Sequence, residues 1–148
     1  VATIVNLYHD VHRQLREEII DLAPEVLEWT PGPDTNSIGT LIVHLLGSEA
    51  EMLRSVLGLP NDRDRNAEFV AQTSQRDDLL HRIDTADTDL ERLGMSITEH
   101  DLFTSRVRPN KSAAQSGLFW LVRNYGHARE HLAHVQLTRQ LYLLTSTR

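Results

Sequence analysis

This sequence predicts an all-α four-helix bundle, on the strength of three observations. Four stretches place apolar residues at intervals of three and four, the repeat of one helix face. Clusters of Pro, Gly and polar residues separate those stretches, leaving one long and two moderate connections. The 148 residues, 40% hydrophobic and 24% charged, suit one globular domain over residues 1–148.

The first stretch carries Ile4, Tyr8, Val11, Leu15, Ile19 and Leu22 on one face and stops before Thr30-Pro31-Gly32-Pro33. A second helix is expected from Asn36 or Ser37, either of which can cap it, to Gly58-Leu59-Pro60. Its segment 41–46 is apolar on all sides apart from His44, so it should be buried all round. Residues 61–66 read as a charged loop. A third helix should span Ser74 to Leu93, with Asp77 and Asp78 favourably placed in its first turn and a stripe of Leu80, Ile83, Ala86, Leu90 and Leu93. Residues 101–110 read as irregular, with a short extended piece at 102–107 closed by Pro109. The pattern Ser112-Ala113-Ala114-Gln115 predicts a capping box opening a fourth helix that runs to about Leu144.

Composition narrows the function. With 21 acidic against 15 basic residues the net charge is −6, which argues against nucleic acid as the main partner. The chain has no cysteine, which excludes disulfides, a thiolate nucleophile and a Cys-rich zinc site. No apolar run approaches the roughly 18 residues of a membrane span. No basic-then-apolar leader is apparent, so the expectation is a cytoplasmic protein with no membrane partner. Eight histidines beside no cysteine leave imidazole and carboxylate as the available transition-metal ligands.

His127 and His131 stand four apart, so on a helix both rings reach from one face towards a common ion. The zinc-protease pattern is absent, because Ala128 follows the first His and Glu130 precedes the second. On a helical projection Trp120, Asn124, His127, His131 and His134 share an arc bordering the apolar face of Leu118, Leu121, Tyr125 and Leu132. His44 interrupts an apolar helix, and a buried imidazole needs partners for its nitrogens. Thr40, Gly47 and Ser48 lie one turn from it and are small enough to leave room for an ion. His134 is a rival third ligand, but it stands about 10 Å along the axis from His127, so pocket wall suits it better. His9 and His12 read as surface or pocket rim, although at i and i+3 they could form a pair of their own; His81 and His100 read as exposed.

The stretch Trp29-Thr30-Pro31, then Asn36-Ser37-Ile38-Gly39-Thr40-Leu41-Ile42-Val43-His44-Leu45, with Glu49 behind it, resembles the second-helix entry of the DinB-like superfamily. Gly117-Leu118-Phe119-Trp120, with residues 130–139, is similar to that family's last helix; Ala133 departs from a frequent Gly. The resemblance spans residues 20–143 and implies a bundle with a long crossover, commonly a homodimer. It also implies a divalent transition metal (zinc or nickel first, iron next) on His44, His127 and His131. It further implies a metal-dependent enzyme, an S-transferase or isomerase joining a low-molecular-weight thiol to a small electrophile. A metal-dependent hydrolase and a non-enzymatic metal- or ligand-binding stress protein are the alternatives. Glu130, Arg129 and Tyr125 are candidates for orienting a thiol, with no basis for choosing among them and no catalytic residue assigned.

Overall fold

Four long helices carry the apolar stripes in the computed structural model, which describes residues 1–71 and 73–146. They are α1 (Ala2–Ile19), α3 (Ile38–Leu57), α5 (Arg76–Arg92) and α7 (Gly117–Ser146); between them lie the short helices α2 (Pro24–Glu28), α4 (Arg65–Glu68) and α6 (Glu99–Phe103). Each long helix packs on two others, in the cyclic order α1, α7, α3, α5. The core is one cluster that includes Tyr8, Val11, Leu15, Ile42, Leu45, Met52, Ile83 and Val135. Among the described residues no helix is long and apolar enough to cross a membrane.

Helix directions follow from pairs of touching residues. Tyr8 bonds Asn124 and Glu18 bonds Arg139, so α1 and α7 run parallel. Ser48 meets Asn124 while Val56 meets Gly117, so α3 is antiparallel to α7. Gly39 abuts Thr73 just before α5, and Leu53 abuts Gly94 just after it, so α3 and α5 run the same way. A parallel pair cannot be joined by a tight turn. Residues 58–75 are therefore the long crossover, descending along α3 with α4 in their middle. The charged loop expected at residues 61–66 lies within this crossover, which just beyond it carries the buried Glu68.

The helix ends repay comparison with the sequence. Ser37 caps α3, accepting from the Thr40 N–H at 3.2 Å, and Gly58 closes it in the left-handed conformation at φ 69°. The first helix ends at Ile19, earlier than expected, and Pro24 starts α2 at a position where its missing N–H costs nothing. The expected capping box at Ser112–Gln115 is not a helix start: Gln115–Ser116 pairs antiparallel with Ser105–Arg106, and α7 opens at Gly117. The capping box forms instead at Thr98 and Asp101, opening α6. Leu102 and Phe103, expected to be extended, belong to that helix.

Candidate metal centre

His44 on α3 faces His127 and His131 on α7 because those two helices are antiparallel neighbours. The ring centroids lie 5.3 Å (His44–His127), 5.1 Å (His44–His131) and 4.3 Å (His127–His131) apart. One ligand atom from each ring falls within 4.8 Å of the others, close enough to hold a single ion. The Nε2 atoms of His127 and His131 stand 3.0 Å apart. Ligands about 2.0–2.1 Å from one ion lie about 3 Å from each other, so this separation suits coordination. A proton on one Nε2 also satisfies the contact; the two Nδ1 atoms are buried with no hydrogen-bond partner among the described residues in either case. A cation between the Nε2 atoms would satisfy both lone pairs, so the donor set fits a borderline transition metal.

Electrostatics keep these rings neutral. Burial, then the neighbouring His131 and His44 and the Arg63 and Arg108 guanidinium groups, push His127 down to about 4. Burial, then His44 and His134, push His131 down to about 4 against the opposing pull of Glu130. Burial also lowers His44, in opposition to Glu68. A neutral imidazole presents a lone pair, the form a metal requires.

A charged scaffold that the sequence did not reveal sets the orientation of His44. Its Nδ1 lies 2.9 Å from Glu68 Oε2, which leaves Nε2 for a ligand. Arg63 grips Glu68 through Nε at 2.6 Å and reaches Glu51 at 3.2 Å; Arg108 closes the far side on Glu51 at 2.7 Å. The room beside Gly47 is thus not empty as expected: a Cβ there would meet Glu68 Oε1 at 2.1 Å. One signal was present in the sequence. Glu51 lies in a helix buried on most sides and demands a cation, and the crossover supplies one.

The remaining histidines sort by environment. His134 is exposed, its ring 5.6 Å from that of His131, and it does not line the cavity at the centre, so it is a neighbour of the cluster and not the pocket wall expected. His81 and His100 are exposed, as expected. His12 is neither surface nor rim: it is 0% exposed, with Nε2 3.0 Å from Glu49 and Nδ1 2.7 Å from Asp87. His9 shares the same Asp87 oxygen at 2.7 Å. His9, His12 and Asp87 are also close enough to hold an ion, but their facing atoms are already hydrogen-bonded to one another.

A cavity of about 960 Å³ opens against His44 and His127, large enough for a small organic molecule. Glu130 lines it; Arg129 and Tyr125 do not, and Tyr125 packs edge-on against Tyr8 at 5.6 Å. Asn124 also lines it but is tied to Tyr8 at 2.9 Å and Ser48 at 2.9 Å.

Comparison with known proteins agrees with this architecture. A DinB-like protein of Bacillus cereus, known from its crystal structure, superposes with a TM-score of 0.77 at 13% sequence identity, covering 95% of this chain and 91% of that one. No curated protein matches the chain. The family profile of the DinB superfamily matches residues 7–135. The three histidines, the long crossover and the parallel α3–α5 pair thus stand on a shared fold, and the chain belongs to the DinB superfamily.

Proposed function

We propose that His44, His127 and His131 hold one divalent transition metal, and that the protein uses it to join a low-molecular-weight thiol to a small electrophile, as an S-transferase or isomerase. The observation that supports it best is three neutral imidazoles meeting at one point, two of which, His44 and His127, line a cavity of about 960 Å³. A closed structural site would be wrapped by a fourth protein ligand; three histidines beside open space suit a site that takes a reactant. A divalent ion here would lower the pKa of a thiol brought to it and favour the nucleophilic thiolate. The absence of cysteine is consistent with a nucleophile that arrives with a cosubstrate.

The chain's own groups do the positioning. Glu68 keeps the His44 Nδ1 proton in place and so fixes its ring. Arg63 and Arg108, clamped on Glu51, hold the cavity wall while their charges discourage protonation of His127. Glu51 is occupied by two guanidinium groups and cannot serve as a free base, which favours thiol transfer over water activation.

The test is metal analysis of the purified protein, followed by titration of zinc- and nickel-loaded samples with low-molecular-weight thiols. One metal per chain, lost in His44→Ala and in His127→Ala, and a thiol-dependent shift in the charge-transfer spectrum of the nickel form are expected. Metal binding without thiol binding, with turnover of esters or amides, would transfer the assignment to a hydrolase. Metal loss that alters stability alone would leave a binding protein.

A further inference from the structure

The geometry points to an anionic reactant, bearing a carboxylate or phosphate, whose charged end is held by Lys111, Arg123 and Arg65 at the rim of the cavity; this rests on the cavity being the reaction site. The chain is acidic overall, with 21 acidic residues against 15 basic. Elsewhere Arg13 binds Glu17, Arg16 binds Asp84, Arg92 binds Asp89 and Arg139 binds Glu18, while Arg82 and Arg129 stand apart from one another with no side-chain hydrogen bond or ion pair among the described residues. At the cavity three such cations gather in one place. Arg65, Lys111 and Arg123 all line it, and none makes a side-chain hydrogen bond or ion pair among the described residues.

The cavity's carboxylates do not cancel them. Glu51 is neutralised by Arg63 and Arg108, and Asp64 is occupied in capping α4, accepting from the N–H groups of Asn66 and Ala67. Asp64 and Glu130 thus remain as two unpaired carboxylates against three cations, which leaves an excess of one positive charge. Such an excess in a concave site favours anions.

Each cation is presented by a defined support. Arg123 stands one turn before His127 on α7, on the same face and about 6 Å along the axis. Arg65 lies with its guanidinium 5.0 Å from the Phe69 ring centroid, and Phe69 in turn lies 5.1 Å from His44. Lys111 follows a turn closed by its N–H on the Arg108 carbonyl at 3.1 Å, with Asn110 in the left-handed region at φ 59°. Arg108 is buried on Glu51 and over Trp120, so the turn is anchored to the cavity wall. A molecule with an oxyanion at this rim and its reactive atom a helical turn away would reach the histidines.

Lys111 is the only lysine in the chain, which makes the idea directly measurable. Metal-free protein is acetylated with an amine-specific reagent, and peptide mass spectrometry follows Lys111 relative to the N-terminal amine. Succinate, inorganic phosphate and neutral succinamide are added in turn at matched ionic strength of about 0.15 M, so that general screening is constant. Succinate or phosphate should slow acetylation of Lys111 at least about threefold at about 10 mM, the range that one or two charge-assisted contacts support. The stronger of the two identifies the oxyanion class, and succinamide should have no effect. Arg123→Gln, and independently Arg65→Gln, should weaken the protection; both are exposed, so neither should disturb folding. Equal protection by succinamide, no protection by either anion, or undiminished protection in both variants would overturn the inference. Because no metal or thiol takes part, failure here leaves the three-histidine assignment standing, and failure of metal binding leaves this result standing.

Discussion

Raising the pH from 6.5 to 9.5 should destabilise this protein by about 2 kcal/mol, and the reason lies in His12. Burial by itself would lower its pKa, but the Glu49 carboxylate and the hydrogen bonds to Asp87 and Glu49 outweigh that and raise it from 6.5 to about 9. Burial raises Glu49 as well, so one proton is held tightly between His12 Nε2 and Glu49 Oε2. The folded chain then carries a proton that the unfolded chain releases near pH 6.5. Its stabilisation is complete below 6.5 and is lost as pH rises through about 9. The slope approaches about 1.4 kcal/mol per pH unit between 6.5 and about 9 and falls away at both ends, so His12 alone loses about 3 kcal/mol over the interval. It counts bound protons, so it holds whichever partner carries the proton. His127 and His131, pushed down to about 4, are neutral in the folded chain but half protonated at pH 6.5 when unfolded; losing that charge restores about 0.4 kcal/mol each and brings the net fall to about 2 kcal/mol. Urea unfolding of metal-free protein at half-unit pH steps measures the slope, and Glu49→Gln, which keeps the shape but removes the charge, should shift the fall to lower pH. A stability flat between pH 6.5 and 9.5 would refute the assignment of a buried, shared proton.

Glu68→Gln should lower metal affinity by about 10–100-fold in competition with a chromophoric chelator, since it weakens the hydrogen bond that orients His44; unchanged affinity would remove Glu68 from the site. Gly117→Ala should cost about 1–3 kcal/mol in urea unfolding, because the new Cβ would sit 2.3 Å from the Asp101 carbonyl oxygen, a backbone atom that cannot turn aside. Ser37→Ala should cost about 1 kcal/mol through loss of the bond to the Thr40 N–H, and Ser37→Asp should restore most of it. An unaltered midpoint in Ser37→Ala would show that this cap contributes nothing.

What was legible in the sequence is what depends on local periodicity. Tyr8, Val11, Leu15 and Ile19 of α1 were legible, because an interval of three or four directly states which side chains share a face, whereas the buried Val5 was passed over for the half-buried Ile4 and His12 was read as surface or rim. The start of α3 at Ser37 and its end at Gly58 were legible for the same local reason. His127 and His131 followed from their spacing on one helix, whereas His44 came from its contrast with apolar neighbours and from a family resemblance. The start of α7 was misread because Ser112 to Gln115 is a valid capping pattern in isolation. Pairing of Gln115 with Arg106 competes with it, and that contact is not local.

The crossover shows why the rest was hidden. Arg63 and Glu68 lie in a stretch whose charge and lack of periodicity describe a solvated loop. Two facts reverse that interpretation: α3 and α5 run parallel, so residues 58–75 must travel back along the bundle, and α3 presents Glu51 and His44 along their path. A buried carboxylate on α3 is costly unless a cation meets it, and a cation brought in from the crossover needs Glu68 to balance its second edge. Once those ion pairs form, the position of Glu68 beside His44 follows from the path of the chain. The charges that mark a loop in sequence are thus what lets this crossover lie against the core, and the same ion pairs hold the metal-facing ring in place.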